Sequence, residues 1–167
     1  IKNTRTTRGD RVKWSNFISS HTVMFEELTV FETIYLANKM YSNCESTVSQ
    51  VIQQFELQSC SSTRVSCISA GERKRTHIAR NIVNGAPFLI LDEPISELDD
   101  ISANKVVNIL KSLTDTITVV CTIHALHRLD LFDNVTIFKE GLCQFHGSST
   151  FCEQLQKRMA VPLLNIT

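Results

Sequence analysis

Two acidic residues directly follow a short apolar stretch near the middle of the chain. The run Phe88-Leu-Ile-Leu91 ends at Asp92 and Glu93, and a continuous apolar run is typical of a parallel strand that is buried on both faces. An aspartate at the end of such a strand can hold Mg²⁺, usually through water, and a neighbouring glutamate can accept a proton from a water that attacks a phosphate. The start of an ordinary polar loop is the alternative interpretation of both residues.

A second candidate site is the start of a predicted helix at Ser69. Ser69 and Glu72 have the spacing of a capping box, and the segment Ile-Ser-Ala-Gly-Glu (68–72) offers a hydroxyl, free backbone N–H groups and the positive end of a helix dipole. This combination binds phosphate oxygens, and Gly71 would allow a ligand to approach the backbone closely. From these residues alone, an ordinary capped helix is the simpler interpretation. The run Glu72-Arg-Lys-Arg75, taken by itself, indicates a solvated helix face.

A third candidate is His124, which follows the β-rich run from Ile117 to Ile123. Strands and helices alternate in this part of the chain, which predicts an α/β domain with a mostly parallel sheet. Because ligands bind such sheets at the carboxyl ends of the strands, Asp92, Glu93 and His124 are expected at the same edge.

Hydrophobic periodicity, capping patterns and turn residues predict the elements that carry these side chains. A second capping box, formed by Thr29 and Glu32, begins the first helix, and Gly85 ends the third. In chain order the prediction is a strand at 14–18, helices at 29–40, 46–57 and 69–83, a strand at 88–91, a helix at 102–113, a strand at 117–123, a short helix, strands at 135–138 and up to 145 around a turn at 140–141, and a last helix.

Composition limits the classes of protein that the 167 residues can form. Hydrophobic residues make up 43% and charged residues 20%, which suits one globular domain with a real core. Seventeen basic residues balance seventeen acidic ones, which argues against binding of nucleic acid through phosphate neutralisation. No apolar run approaches the roughly 18 residues of a membrane-spanning helix. The six scattered cysteines are expected to be reduced thiols, as in a cytosolic protein.

Five motifs in one order resemble the nucleotide-binding domain of an ATP-binding cassette (ABC) transporter. They are Leu28-Thr-Val-Phe-Glu-Thr33, Ile-Ser-Ala-Gly-Glu-Arg-Lys-Arg (68–75), Phe88-Leu-Ile-Leu-Asp-Glu-Pro94, Ser96-Glu-Leu-Asp99 and Thr122-Ile-His124. The last four resemble the signature motif, Walker B strand, D-loop and switch histidine. The residues of the first two motifs are most similar to those of the G subfamily, which comprises the white-type half-transporters and the pleiotropic drug resistance pumps.

The resemblance implies a fold for nearly the whole chain. It implies a P-loop NTPase-like α/β domain, with a mostly parallel sheet flanked by helices and an α-helical signature subdomain. Residues 1–167 would then form one partial nucleotide-binding domain. The helical subdomain would span about 29–84, and the part from the Walker B strand to the switch histidine about 86–148.

The same resemblance implies a role for each matching residue. Asp92 would support Mg²⁺, Glu93 would be the catalytic glutamate that polarises water, and His124 would contact the γ-phosphate of ATP. The signature residues would contact the nucleotide of the opposite subunit, and Asp99 would lie in the D-loop at the dimer interface. These signature residues are Ser69, Ala70, Gly71 and Glu72.

The implied partners are a second nucleotide-binding domain and the transmembrane domain of the same transporter, with no nucleic acid. The chain would then lie at the cytosolic face of a membrane. The transported substrate is not encoded in these residues.

Several positions depart from the family pattern. The 167 residues contain no G-x4-G-K-[ST] phosphate loop, from which we expect an N-terminal truncation or a degenerate gene product. Ser20 stands near the position of the Q-loop glutamine. Ala70 replaces the first signature glycine, and Glu97 replaces the usual D-loop glycine. By itself, the chain is expected to bind ATP poorly.

Three hypotheses follow. The first is the ATP-hydrolysing domain of a membrane transporter, present in part. The second is a non-catalytic regulatory half that completes a partner's ATP site through Ser69 and Gly71, which the missing loop and glutamine favour. The third is a soluble ABC-type ATPase of DNA maintenance, against which the neutral charge and the G-type signature argue.

Overall fold

A computed structural model gives the structure of the chain, and it describes residues 14–21, 23–41, 45–124, 132–152 and 154. The chain divides into two compact units, Ile1–Ile123 and His124–Thr167, and each is described by itself below. Among the described residues there is no helix with the length and apolar character needed to cross a membrane.

The first unit contains a parallel sheet of three short strands. The strands β1 (Ser15–Ile18), β2 (Phe88–Leu91) and β3 (Thr118–Cys121) lie in the order β1-β2-β3. Ile18 pairs with Leu91, and Leu91 pairs with Cys121, so the three carboxyl ends are level. The prediction of an α/β fold with a parallel sheet is confirmed, and the common edge expected for the strand ends exists for these three strands.

Four helices of the first unit lie between these strands in the described sequence. They are α1 (Val30–Tyr41), α2 (Glu45–Gln54), α3 (Ala70–Ile82) and α4 (Asp100–Leu113). Short 3-10 turns follow α2, at Gln58–Cys60 and Val65–Cys67. The four helices predicted in this unit are all present, with two changes of boundary. Helix α2 ends three residues before Leu57, and α4 begins two residues before Ser102.

The helix starts follow from the capping residues. At α1, the backbone N–H of Thr29 donates to the Glu32 carboxylate at 2.8 Å, and the N–H of Glu32 donates to the Thr29 hydroxyl at 3.1 Å. This is the reciprocal pattern of a capping box, as predicted. At α4, the Asp99 carboxylate accepts from the N–H groups of Ile101 and Ser102, which explains why the helix begins earlier than its apolar pattern indicates.

The core of the first unit lies on one face of the sheet. Leu89 and Leu91 of β2 join one buried cluster with residues of α3 and α4. Successive strand residues point to opposite faces, and the alternate residues Phe88 and Ile90 are 45% and 39% exposed. The expectation that β2 is buried on both faces is therefore wrong in this unit, because α3 and α4 both cover the same side.

The second unit contains an antiparallel hairpin. Strands β4 (Asn134–Lys139) and β5 (Leu142–Ser148) are joined at Glu140 and Gly141, which both have positive φ, as the predicted turn requires. The predicted short helix after His124 lies outside the described residues, as does most of the last helix, of which 149–152 are helical. The five cysteines in the described residues are free: Cys60, Cys67, Cys121, Cys143 and Cys152.

Candidate functional site

Asp92 lies at the carboxyl end of the central strand, where backbone hydrogen bonds hold it between the two edge strands. Its N–H donates to the carbonyl of Ile18 at 2.8 Å, which continues the β1-β2 pairing by one residue. On the other side, the N–H of Thr122 donates to the carbonyl of Leu91 at 3.0 Å. The carboxylate is thus supported by a backbone that is paired on both sides.

The hydroxyl of Thr122 connects the two acidic residues. It donates to Oδ1 of Asp92 at 2.8 Å and accepts from the backbone N–H of Glu93 at 2.9 Å. Sequence reasoning assigned no role to Thr122. The available signal was its position, since it follows β3 as Asp92 follows β2, and a hydroxyl there can both donate and accept.

The backbone of Glu93 has a conformation that side chains other than glycine seldom adopt. Its φ is +47°, in the left-handed region. Besides the bond from its N–H to Thr122, its carbonyl accepts from the N–H and hydroxyl of Ser96 at 3.2 and 2.9 Å. These bonds on both sides hold the residue in place, and backbone strain held in this way is common at functional sites.

Lys74 and Arg75 are buried, with 7% and 5% of their surface exposed. The interpretation of the basic run as a solvated helix face is therefore wrong for these two residues. Arg75 donates from Nε to the carbonyl of Phe55 at 3.0 Å, and Lys74 donates from Nζ to the carbonyl of Ser20 at 3.3 Å. Periodicity alone missed this because the acceptors are backbone carbonyls far away in sequence.

The environment of Lys74 is both buried and acidic. Burial lowers the pKa of its ammonium, while the nearby carboxylates, Glu97 first and then Glu93 and Asp92, oppose that effect and raise the pKa. The structure thus brings one buried cation close to the acidic residues that follow β2.

Ser69 begins α3 in a complete capping box, as predicted. The Glu72 carboxylate accepts from both the N–H and the hydroxyl of Ser69, at 2.9 and 2.7 Å, and the Ser69 hydroxyl accepts from the N–H of Glu72 at 3.3 Å. These bonds from Ser69 lower the pKa of Glu72. Both donors of Ser69 are thus engaged, and in the described structure the N–H groups of Ala70 and Gly71 make no hydrogen bond.

Gly71 lies against the first turn of α4. A Cβ placed on Gly71 would lie 2.6 Å from Oγ and 2.8 Å from Cβ of Ser102, which is closer than real Cβ atoms approach other groups. Ser102 also donates its N–H to Asp99. The signature residues and the D-loop aspartate are therefore adjacent, and only glycine fits at their contact.

Two departures from the family pattern differ in structural cost. Ala70 is exposed, so its methyl group meets little resistance. Glu97 has a φ of +63°, a conformation that glycine adopts without steric cost. Replacing the usual glycine by Glu97 therefore adds backbone strain to the loop between β2 and α4.

His124 is the first residue of the second unit, and its side chain is exposed. Its assignment as a switch histidine rests on the sequence, in which His124 stands three residues after the end of β3 at Cys121.

A family model described as "ABC transporter" matches residues 2–96, more than half of the chain. The chain belongs to the ABC transporter family. Among curated proteins, ABC transporter G family member 4 of Arabidopsis thaliana is 33% identical over 162 residues, which cover 90% of this chain and 28% of that protein. Protein white of Drosophila melanogaster is 38% identical over 117 residues, covering 65% of this chain and 17% of that protein. The human phospholipid-transporting ATPase ABCA3 is 32% identical over 139 residues, covering 80% of this chain and 8% of that protein.

These relatives confirm the resemblance to the G subfamily, since two of the three are G-type transporters. The chain spans less than a third of the length of each. Domains of this family bind ATP in general.

The acidic pair fits the way in which proteins usually hold Mg²⁺. Among the described residues there is no group of three or more metal-binding side chains that could form a closed cage. Mg²⁺ is commonly bound by one or two carboxylates together with water and substrate phosphates. Asp92, at a strand end and fixed by Thr122, is suited to that mode.

Proposed function

We propose that this chain is part of an ATP-hydrolysing domain that powers transport across a membrane. The observation that carries the proposal is the arrangement of Asp92 and Glu93, which are adjacent at a sheet edge and fixed through one hydroxyl. Family membership supports binding of ATP in general, and the fixed acidic pair supports hydrolysis by these residues.

The two acidic residues would have different tasks. Asp92 would hold Mg²⁺, through water, and the ion would neutralise phosphate charge when it is bound. Glu93 would orient and polarise the water that attacks the γ-phosphate. The hydrogen bond that the Glu93 N–H donates to Thr122 and those that the Glu93 carbonyl accepts from Ser96 would keep its carboxylate in place during the attack. His124 would contact the γ-phosphate.

The start of α3 would act on the nucleotide of an opposite subunit. Ala70 and Gly71 present N–H groups at the positive end of the helix dipole, which favours phosphate oxygens. For the Ser69 hydroxyl to contribute, it would have to exchange its bond to Glu72 for one to the ligand. Asp99 would order the D-loop at the dimer interface by capping α4.

The partners in this proposal are a second nucleotide-binding domain and a transmembrane domain. The chain would lie at the cytosolic face of a membrane. The helical region of about 29–84 would meet the transmembrane part, and the region of about 86–148 would carry the hydrolytic residues.

The test is replacement of Glu93 in the protein that carries this chain, expressed with the sequence that flanks it in its gene. Glu93→Gln should reduce ATP turnover about 100-fold or more while ATP binding persists, because the amide cannot accept the proton. Glu140→Gln is the matched control, since Glu140 also has a positive φ and is exposed on the hairpin. Unchanged hydrolysis in the Glu93 variant would contradict the proposal.

One observation favours the second function, a regulatory half that completes a partner's site. No glutamine stands near Ser20, where the family has the Q-loop residue. In that case Ser69→Ala in this chain should impair hydrolysis at the partner's site, and Glu93→Gln should have little effect. Measuring both variants in the assembled transporter separates the two functions.

A further inference from the structure

Helix α3 is joined to β1 at both ends of that strand. Near the start, Asn16 and Asn84 exchange hydrogen bonds between their side-chain amides, at 2.8 and 2.7 Å, and Asn16 also donates to the carbonyl of Asn81. Just beyond the end, Nζ of Lys74 donates to the carbonyl of Ser20. The helix therefore sets the position of β1 and of the turn that follows it.

The acceptor of Lys74 lies at the same sheet edge as the acidic loop, because Ser20 follows the last residue of β1, Ile18, by two residues, and the N–H of Asp92, directly after β2, donates to the carbonyl of Ile18. The carboxylates of Glu97, Glu93 and Asp92 act electrostatically on the Lys74 ammonium, in decreasing order. Glu93 and Glu97 both have a positive φ, so two strained positions lie in this loop between β2 and α4. A buried cation near three carboxylates offsets part of their mutual repulsion.

We propose that Lys74 is a positioning residue that links the turn at Ser20 to the acidic loop of residues 92–97. The inference rests on the proposed function, because the linked loop carries Glu93. The bond from Lys74 is made to a backbone carbonyl, so it does not depend on which side chain stands at position 20. In this chain, where no glutamine is present near Ser20, Lys74 supplies a connection between this turn and the acidic residues.

Four variants test the link in the protein that carries this chain, expressed with its flanking sequence. Lys74→Met keeps most of the apolar stem and removes the charge and the donor, whereas Lys74→Arg restores both. Glu97→Gln removes one attracting carboxylate at an exposed position and should not endanger folding. Lys105→Met is the control, because it removes an exposed lysine from α4 whose partner is Glu56, at 3.8 Å.

The first readout is amide hydrogen exchange, which does not require hydrolysis. Lys74→Met should speed exchange about threefold or more in both 19–21 and 92–97, because the first segment loses a hydrogen bond to its backbone and the second loses a neighbouring positive charge. Glu97→Gln should speed exchange in 92–97. Lys74→Arg and the Lys105 control should match the parent protein. Unchanged exchange in Lys74→Met, or a change in only one of the two segments, overturns the proposal.

The second readout is the kinetics of Glu93-dependent hydrolysis. Lys74→Met should lower kcat about tenfold or more with little change in KM for ATP, because Glu93 is displaced while nucleotide contacts persist. Linked exchange with an unchanged kcat would overturn the positioning role. If the parent protein shows no Glu93-dependent hydrolysis, the proposed function fails, and the exchange data alone decide whether Lys74 joins the two loops.

Discussion

The hydroxyl of Thr122 donates to Oδ1 of Asp92 at 2.8 Å across the ends of two neighbouring parallel strands. The Thr122 hydroxyl oxygen also accepts a hydrogen bond from the backbone N–H of Glu93, at 2.9 Å. One side chain on β3's end thus fixes both a carboxylate and the backbone of the residue after it. The arrangement makes the geometry of the acidic pair sensitive to a residue that carries no charge.

Thr122→Val should impair hydrolysis without unfolding the protein. Valine keeps the shape of the side chain but leaves the Glu93 N–H and one Asp92 oxygen without their partner. We expect a loss of about 1 kcal/mol in the free energy of unfolding and a fall in kcat of about 10- to 100-fold. Chemical denaturation and steady-state ATPase assays of the protein with its flanking sequence measure the two effects.

Two further variants control this prediction. Thr122→Ser keeps the hydroxyl and should retain most of the activity. Thr118→Val makes the same substitution at the first residue of β3 and should leave kcat unchanged. Equal activity of Thr122→Val and Thr118→Val would show that the hydroxyl does not position the acidic pair.

Local patterns were sufficient to predict the strands and α-helices of the first unit. The apolar run of β2, the capping boxes at Thr29 and Ser69, and the stop at Gly85 are short-range signals, and the structure confirms each of them. The adjacency of Asp92 and Glu93 at a strand end followed from the same signals. Helix α4 begins early because the Asp99 carboxylate caps it. Hydrophobic periodicity does not show which of several neighbouring polar residues caps a helix.

Long-range contacts explain what the patterns missed. Lys74 and Arg75 are buried because the carbonyls of Ser20 and Phe55, 54 and 20 residues away, accept their donors. An apolar run likewise cannot show how many faces of β2 are covered, since that depends on where α3 and α4 pack. The role of Thr122 required the register of β3 against β2, which is a tertiary property.

Gly71→Ala should destabilise the first unit. The added Cβ would meet Ser102 at 2.6 Å, and the contact involves two helices, so relief requires a backbone shift. We expect a loss of about 1–3 kcal/mol in the free energy of unfolding, as for other overpacked sites. Denaturant titration monitored by circular dichroism measures it.

Ser102→Gly in the Gly71→Ala background should recover part of this loss, because it removes both atoms that the new Cβ meets. Ala70→Gly, at the neighbouring exposed position, should change stability by less than about 1 kcal/mol. A neutral Gly71→Ala would mean that α3 and α4 separate easily at this contact.

Glu72→Gln should weaken the capping box in a pH-dependent way. Bonds from Ser69 lower the pKa of Glu72 below its ordinary 4.5, so the folded chain favours the charged carboxylate. The stabilisation is therefore present above about pH 4.5 and is lost as the pH falls through the lowered value. We expect a deficit of about 0.5–1 kcal/mol for Glu72→Gln near pH 7, typical of a helix cap.

The deficit of the Glu72 variant should shrink in acid, since protonated Glu72 resembles glutamine as an acceptor. Glu27→Gln, at an exposed position before α1, is the comparison for a general loss of negative charge. Unfolding free energies measured at several pH values between 3 and 7 give the curve, and a deficit independent of pH would contradict the assigned cause.

His77 should make the first unit less stable in mild acid. Its imidazole is buried in α3, and Nδ1 has no hydrogen-bond partner among the described residues. Burial, with smaller effects from Arg80 and Lys74, lowers the pKa of His77 from 6.5 to about 4. Between these values the unfolded chain binds a proton that the folded chain excludes, so stability falls as the pH decreases from about 6.5 to about 4.

Above pH 6.5 His77 is neutral in both states and contributes no pH dependence. Across the acid window the loss can reach about 3 kcal/mol, because each pKa unit corresponds to about 1.4 kcal/mol. Carboxylates also titrate there, so the measurement is the difference between the parent protein and His77→Leu, which should lose stability less steeply in acid. His21→Gln removes an exposed imidazole and is the control. Parallel pH curves for the parent and His77→Leu would show that the buried imidazole accepts its proton without disturbing α3.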